Sequence, residues 1–383
     1  MSTPLPREEF PVTEKYAYFN HAAVGILPKT TVAEIERFVR AQSEAGLLGT
    51  FPYEVGMPQS RERIGRFINA SGEEIAITPN TSHGANLIAL GLDVRPGDRI
   101  LLCDNEFPSN AIPWLALRSS GAEVVELDTR YERLTPDRLR RELTPGTRAV
   151  AVSWVSYSDG YRHDLAGLAE VAHAAGALLC VDAIQGLGAF PLDVRATNVD
   201  ALYTAAAKWL LGLQGVGFTY VRRDLIDRLQ LAMPGWRSVE DMWDFHNHEQ
   251  GYSPHALRFE GGTPSFLGTL SMTSSIGVLE RAGVDAIAAH VLQLTDRLAD
   301  GLVRAGAELL APRGPGISSG IVTFRLPGCD SVALGRAMQR EGIVTTWRPG
   351  GIRVSPHGYN DAGEIDRLLA TLAECARTLT AKG

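Results

Sequence analysis

Between residues 149 and 182 the chain spells out a strand–helix–strand unit, and no other stretch narrows the fold class as much. AVAVSWV is an apolar, β-branched run of strand length. Asp164 then stands where a helix N-cap belongs. Leu165, Leu168, Ala172 and Ala175 fall on one face of the helix it would open. Gly176 takes the place of a C-terminal cap glycine, and ALLCVD follows as the next strand. Such a crossover makes its two strands parallel, and a parallel sheet is covered on both faces. EIAIT, RILLCD, EVVEL, ALYTA and VGFTYV repeat the strand pattern, so the chain is expected to be α/β with a mostly parallel sheet. In these sheets ligands bind at the carboxyl ends of the strands.

Two ionisable residues stand at such ends. Asp182 closes ALLCVD, and Lys208 follows ALYTA. Lysine is seldom buried without a partner, yet Ala205 to Ala207 precede this one and Trp209 to Leu211 follow it. An amine in an apolar setting loses its proton more readily, which suits a Schiff-base former. Pyridoxal 5'-phosphate (PLP) enzymes need such a lysine, and a carboxylate that keeps the cofactor's pyridine nitrogen protonated. Alone, Lys208 reads as a loop lysine and Asp182 as a turn or cap residue.

Other segments supply the remaining parts. Thr81, Ser82 and His83 precede the helical run ANLIALGL, and hydroxyls with free amides at a helix N-terminus bind phosphate. Phe107, in NEFPSN after RILLCD, offers a ring that can stack on a flat heteroaromatic. Gln185 lies three residues past Asp182, within reach of the cofactor's phenolic oxygen. Thr263 sits in the Gly-Gly-Thr-Pro turn of RFEGGTPSF, a second phosphate contact. Singly, these are an ordinary cap, a core ring and a loop.

Bulk properties exclude several classes. The formal net charge of −7 gives no support to a nucleic-acid or anionic-membrane surface. The four cysteines, Cys103, Cys180, Cys329 and Cys375, form no CxxC pair or Cys/His cluster, so neither a disulfide framework nor a metal site is suggested. MSTPLPREEFPV has no signal-peptide pattern, and no apolar run is of bilayer length, so a cytoplasmic location is expected.

In order along the chain, from YFNHAAVG near residue 18 to GIRVSPHGYND near residue 361, these segments resemble the class V aminotransferase family. These are PLP enzymes of fold type I, and they include cysteine desulfurases and isopenicillin N epimerase-like proteins. The resemblance implies that Lys208 is the Schiff-base lysine, Asp182 the pyridinium partner and Gln185 the residue near the phenolic oxygen. Phe107 takes the ring-stacking position, and Thr81, Ser82 and His83 the phosphate cup. It implies that Thr263 reaches the phosphate of a neighbouring subunit, hence a homodimer with shared sites. Arg353 matches the arginine that grips the substrate α-carboxylate, a pairing its planar fork suits. Tyr157 and His21 are candidates to contact an amino-acid substrate, as is Tyr161 for epimerisation.

The departures bear on the reaction. Ala205 and Ala207 stand where desulfurases carry Ser and His, leaving Thr204 or Tyr203 as replacement phosphate contacts. TTWRPGG, where a desulfurase loop holds its persulfide-forming cysteine, contains none. A thiol relay is therefore not expected, and transamination, C–S lysis and epimerisation stay open. A non-catalytic dimeric binding module on the same fold is the remaining alternative, and Lys208 speaks against it. The expected organisation is an N-terminal arm over 1–30, a large PLP-binding domain over 31–265 and a smaller α+β domain over 266–383. Within it, a helix is expected over 31–45, a Gly/Pro-rich stretch to Pro58, and an aromatic loop excursion over 231–262.

Overall fold

The apolar runs pair in register into one large sheet. In the computed structural model, which describes residues 3–380, thirteen strands are found. The first eight are β1 (Ala17–Tyr18), β2 (Ile75–Thr78), β3 (Arg99–Cys103), β4 (Glu123–Leu127), β5 (Thr147–Ser153), β6 (Leu178–Asp182), β7 (Ala201–Ala205) and β8 (Gly217–Val221). The last five are β9 (Glu308–Leu309), β10 (Val322–Arg325), β11 (Ile343–Val344), β12 (Thr346–Arg348) and β13 (Gly351–Val354). The large sheet runs β2-β8-β7-β6-β5-β3-β4. β3 to β7 are parallel to one another, and β8 is antiparallel to both of its neighbours, β2 and β7. This is the α/β architecture with a mostly parallel sheet that the sequence predicts.

The 149–182 unit forms as its sequence dictates. The Asp164 carboxylate accepts from Gly167 N at 3.1 Å and opens the helix Leu165–Ala174, and Gly176 leaves it at φ +76°. Strand alternation splits the sheet's side chains between two cores. Leu101, Val150, Val152, Leu179, Val181 and Leu202 face one side. Ile100, Leu102, Ala151, Cys180 and Tyr203 face the other, beneath the helices Thr81–Gly91 and Pro108–Leu115.

A second sheet, β12-β13-β10-β9, packs with the helices Ser331–Arg340 and Ala362–Thr380 around a separate core. The helix Phe266–Ala282, which begins where the smaller domain was expected to start, sends Met272, Ile276 and Leu279 into the large sheet's core. The next helix, Val284–Arg304, is shared: Ile287 and Val291 enter the first core, and Leu294, Leu298 and Leu302 the second. The N-terminal segment is stitched to the second unit, with β1 parallel to β11 and Asn20 bridged to Ser355. Residues 1, 2 and 381–383 of the expected arm and smaller domain lie outside the described residues.

One expectation fails. The Gly/Pro-rich stretch before Pro58 is helical, as Leu47–Val55 and Met57–Phe67. Leu48, Phe51 and Val55 repeat at helical spacing, and the helix carries Pro52 in its interior at the cost of one backbone hydrogen bond. The 231–262 excursion does stay irregular, apart from a short turn of 3-10 helix at Ala256–Phe259.

Candidate active site

Register places three residues in one row at the carboxyl end of the large sheet. Ser153 is level with Asp182, and Asp182 with Tyr203, so all three side chains leave the same face. Asp182 is buried, and its Oδ1 accepts from Ile184 N at 2.9 Å. Among the described residues no hydrogen bond reaches Oδ2. Burial pushes this carboxyl up to about 7; the nearby Glu106 adds to the rise, while the Ile184 N–H and Lys208 oppose it.

Glu106 was not among the expected site residues. Its buried carboxylate accepts from Ser153 N at 2.8 Å, from the Ser153 hydroxyl at 2.5 Å and from Asn110 Nδ2 at 2.8 Å. Asn110 in turn accepts from the Tyr203 hydroxyl, which Trp114 Nε1 also approaches at 3.3 Å. The row behind Asp182 is thus tied to the loop carrying Phe107. The signal in the sequence is a carboxylate two residues beyond an apolar strand end, next to the proposed stacking ring.

Lys208 faces this row. Its Nζ makes no hydrogen bond among the described residues and lies 5.5 Å from the centre of the Phe107 ring. Burial lowers its pKa to about 8; Asp182 pulls upward, and Arg353 adds to the lowering. The edge of the Tyr157 ring meets the Phe107 ring at 5.1 Å. The N-terminal segment backs the lysine: Gly25 N donates to Ala207 O at 2.7 Å, and a Cβ on Gly25 would stand 2.0 Å from Lys208 O. Only glycine fits there.

Thr81, Ser82 and His83 form the first turn of their helix, capped by the Asn80 side chain. Thr81 Oγ1 is buried without a partner, and Ser82 Oγ donates to Ser109 Oγ at 2.9 Å. His83 shares a cavity with Thr263 of the same chain. Gly84 lets the helix settle on the sheet, since a Cβ there would meet Tyr203 Cβ at 2.6 Å. The suggested replacement phosphate contacts do not hold. The Tyr203 hydroxyl is taken by Asn110 and Trp114, and Thr204 leaves the opposite face of the sheet with its hydroxyl buried.

On the other side, Arg353 Nη1 donates to Tyr157 O at 2.7 Å. The arginine is 8% exposed, and its Nε is buried with no partner. His21 does not meet the expectation of a substrate contact. It is fully buried, with Nδ1 2.9 Å from Ser355 O and Nε2 2.9 Å from the Tyr359 hydroxyl, so neither nitrogen is free. Burial, with His357 adding to it, holds its pKa well below the usual range. Tyr161 is also packed away, between Arg133 and His163. Gln185 is pinned through both ends of its amide, to Ala22 O at 3.0 Å and Trp209 Nε1 at 2.9 Å. One hydrogen on Nε2 is left for a ligand.

The donor set fits PLP. The buried Asp182 carboxylate, the Lys208 amine beside the Phe107 ring and the buried, unpartnered Thr81 hydroxyl at a helix N-terminus are contacts that such a cofactor can use. Fold and site together define a PLP-dependent enzyme. The chain belongs to the class V aminotransferase family, whose sequence profile matches residues 17–368. It is 28% identical to a probable cysteine desulfurase of Pyrococcus abyssi, over 97% of each chain. It resembles the apo cysteine desulfurase of Thermococcus onnurineus NA1, with a TM-score of 0.88 and 26% identity, covering 99% of this chain and 100% of that one. It is equally similar in shape to the cystine C–S lyase C-DES in complex with its product cysteine persulfide: TM-score 0.88, 25% identity, 95% of this chain and 99% of that one.

Proposed function

We propose that this enzyme is a C–S β-lyase acting on a cysteine-derived amino acid without an enzyme thiol. The observation that carries the reading is where the sulfurs lie. Cys103 and Cys180 are buried in the large sheet, Cys375 is buried on the last helix, and Cys329 sits in the turn before the helix Ser331–Arg340. The wall from Thr345 to Gly351 carries none. Likeness to both cysteine desulfurases and a cystine lyase supports C–S chemistry, and the sulfur-free wall favours direct lysis over relay.

In this reading Asp182, Phe107, Gln185 and the first turn at Thr81, Ser82 and His83 hold PLP, which supplies an electron sink for the bonds at the substrate Cα. Arg353 binds the α-carboxylate through its unpartnered Nε and so fixes how the Cα substituents point. Lys208 Nζ, whose pKa burial lowers to about 8, takes the Cα proton. The electron pair left behind expels sulfur from Cβ, and water completes the balance: the conjugate and one water give a thiol, pyruvate and ammonium. The exposed Leu47, Leu48 and Phe51 support a homodimer, the assembly in which the family resemblance has Thr263 reach a neighbouring phosphate site; light scattering at the mass of one chain would refute that part.

The test is product analysis of the PLP-loaded enzyme with cystine, for the wild type and for a variant with all four cysteines replaced by alanine. Pyruvate, ammonia and sulfane sulfur from both proteins are the expected result. A keto acid without ammonia would establish transamination instead, and activity lost with the cysteines would establish a relay.

A further inference from the structure

The pocket beside Arg353 holds a second guanidinium that the proposed reaction does not use. β12 pairs with β13 so that Thr346 faces Arg353 and Arg348 faces Gly351. Residues two apart on a strand share a face, so Thr346, Arg348 and Arg353 project to the same side. Thr323, level with Arg353 on β10, joins them, and Tyr157 closes the pocket from above. Gly351 keeps the ground beside Arg348 open. Its φ is +150°, and a Cβ there would lie 2.7 Å from Phe324 O, so no other residue fits. Trp347 points to the opposite face, against Gly335.

This pocket is electrostatically unfinished. None of its lining residues is acidic. Arg348 is exposed, and among the described residues no carboxylate lies within ion-pair distance of it. Arg353 is buried beside it with Nε unbonded. Burial first, and the charge of Arg348 second, lower the Arg353 pKa to about 10. Two like charges on one sheet face repel, and one α-carboxylate offsets only one of them.

We infer that Arg348 is a specificity-determining residue that binds a second anionic group, so the substrate is an α-amino acid carrying a carboxylate beyond its sulfur. The inference rests on the C–S lyase reading and names its substrate class: acidic cysteine conjugates, and disulfides whose far half is itself an amino acid. Arg353 takes the near carboxylate at depth, and Arg348 the far one at the mouth. Arginine's fork suits both, and the low dielectric at depth strengthens the inner contact.

A matched pair of ligands tests this. S-(2-carboxyethyl)-L-cysteine and S-propyl-L-cysteine have similar length and differ in the terminal charge. Each is titrated into the PLP-loaded enzyme while the cofactor's near-visible absorbance is followed. The wild type is expected to bind the acid at least tenfold more tightly. Arg348→Gln closes that gap, and Arg348→Glu turns the preference toward S-(2-aminoethyl)-L-cysteine. Equal binding of the first two ligands to the wild type, with pyruvate released from both, overturns the inference and leaves the lyase reading intact. An equal loss for both ligands in Arg348→Gln also overturns it, because both arginines would then grip one carboxylate. If neither ligand changes the absorbance, both readings fall.

Discussion

The two walls of the site are built on opposite plans. The large-sheet wall is closed in on itself: Glu106, Ser153, Asn110, Tyr203 and Trp114 satisfy one another behind Asp182. The small-sheet wall is open, since Arg348 lacks an acid and Arg353 Nε lacks an acceptor. Hydrogen bonds buried within a network cost most when one partner is removed, because the others are orphaned. Donors left for a ligand cost little to the fold when removed and much to binding. One wall is therefore closed by its own hydrogen bonds, and the other keeps guanidinium donors that the protein does not satisfy.

Four variants break or sharpen this contrast. Lys208→Ala has the largest effect. It is expected to abolish covalent attachment of PLP and lower activity by about 10²–10⁴-fold or more while leaving the fold in place. Borohydride reduction followed by mass spectrometry reads it directly, and trapped cofactor would reassign the lysine. Glu106→Ala strands the Ser153 and Asn110 donors and is expected to cost about 2–3 kcal/mol of stability in urea unfolding. A cost below about 0.5 kcal/mol would mean that the closed wall is no more integral than the open one. Arg353→Ala should reverse that pattern, weakening α-amino acid binding by about 10–100-fold with a smaller stability change. Spectral titration measures the first effect and urea unfolding the second.

Asp182→Asn has the smallest effect on stability, and its sign depends on pH. The folded cofactor-free protein holds the Asp182 proton up to about 7, against an ordinary value of 3.8. The favourable contribution of this raised carboxyl is complete below the ordinary value and is lost as pH rises through the folded one. Asp182→Asn is therefore expected to stabilise the cofactor-free protein by about 1–2 kcal/mol at pH 8, with the advantage gone near pH 4. The same change should weaken PLP binding. Urea midpoints of the apoprotein at the two pH values check the first claim, and cofactor titration the second.

Residues on the closed wall were legible where chemistry and strand ends coincide. Asp182 and Lys208 each stand at the end of an apolar run, and the structure brings them close enough to act on one another, with Lys208 beside the Phe107 ring. Glu106 escaped notice because its role depends on Ser153, 47 positions away, and spacing along a chain does not report such a meeting. His21 misled for the same reason: a histidine in YFNHAAVG looks available until Tyr359 and Ser355 arrive from the far end of the chain. Arg348 was hidden by register, since only the pairing of β12 with β13 puts it on the face of Arg353. In the fold, alternation and caps announced the sheet, whereas Pro52 and the flanking glycines disguised a helical repeat as a loop.

The N-terminal segment carries one more consequence, in the order of synthesis. Leu5 N donates to Gly358 O, and Arg7 reaches Tyr359 O across 352 positions. Asn20 bridges Ser355, and Gly25 seals the backbone behind Lys208. These residues, made before the strands and turn they bind, cannot take their places until those exist. Contacts of such long separation form late in folding. The backbone support behind Lys208 is therefore completed by contacts that reach from this segment to the closing strands.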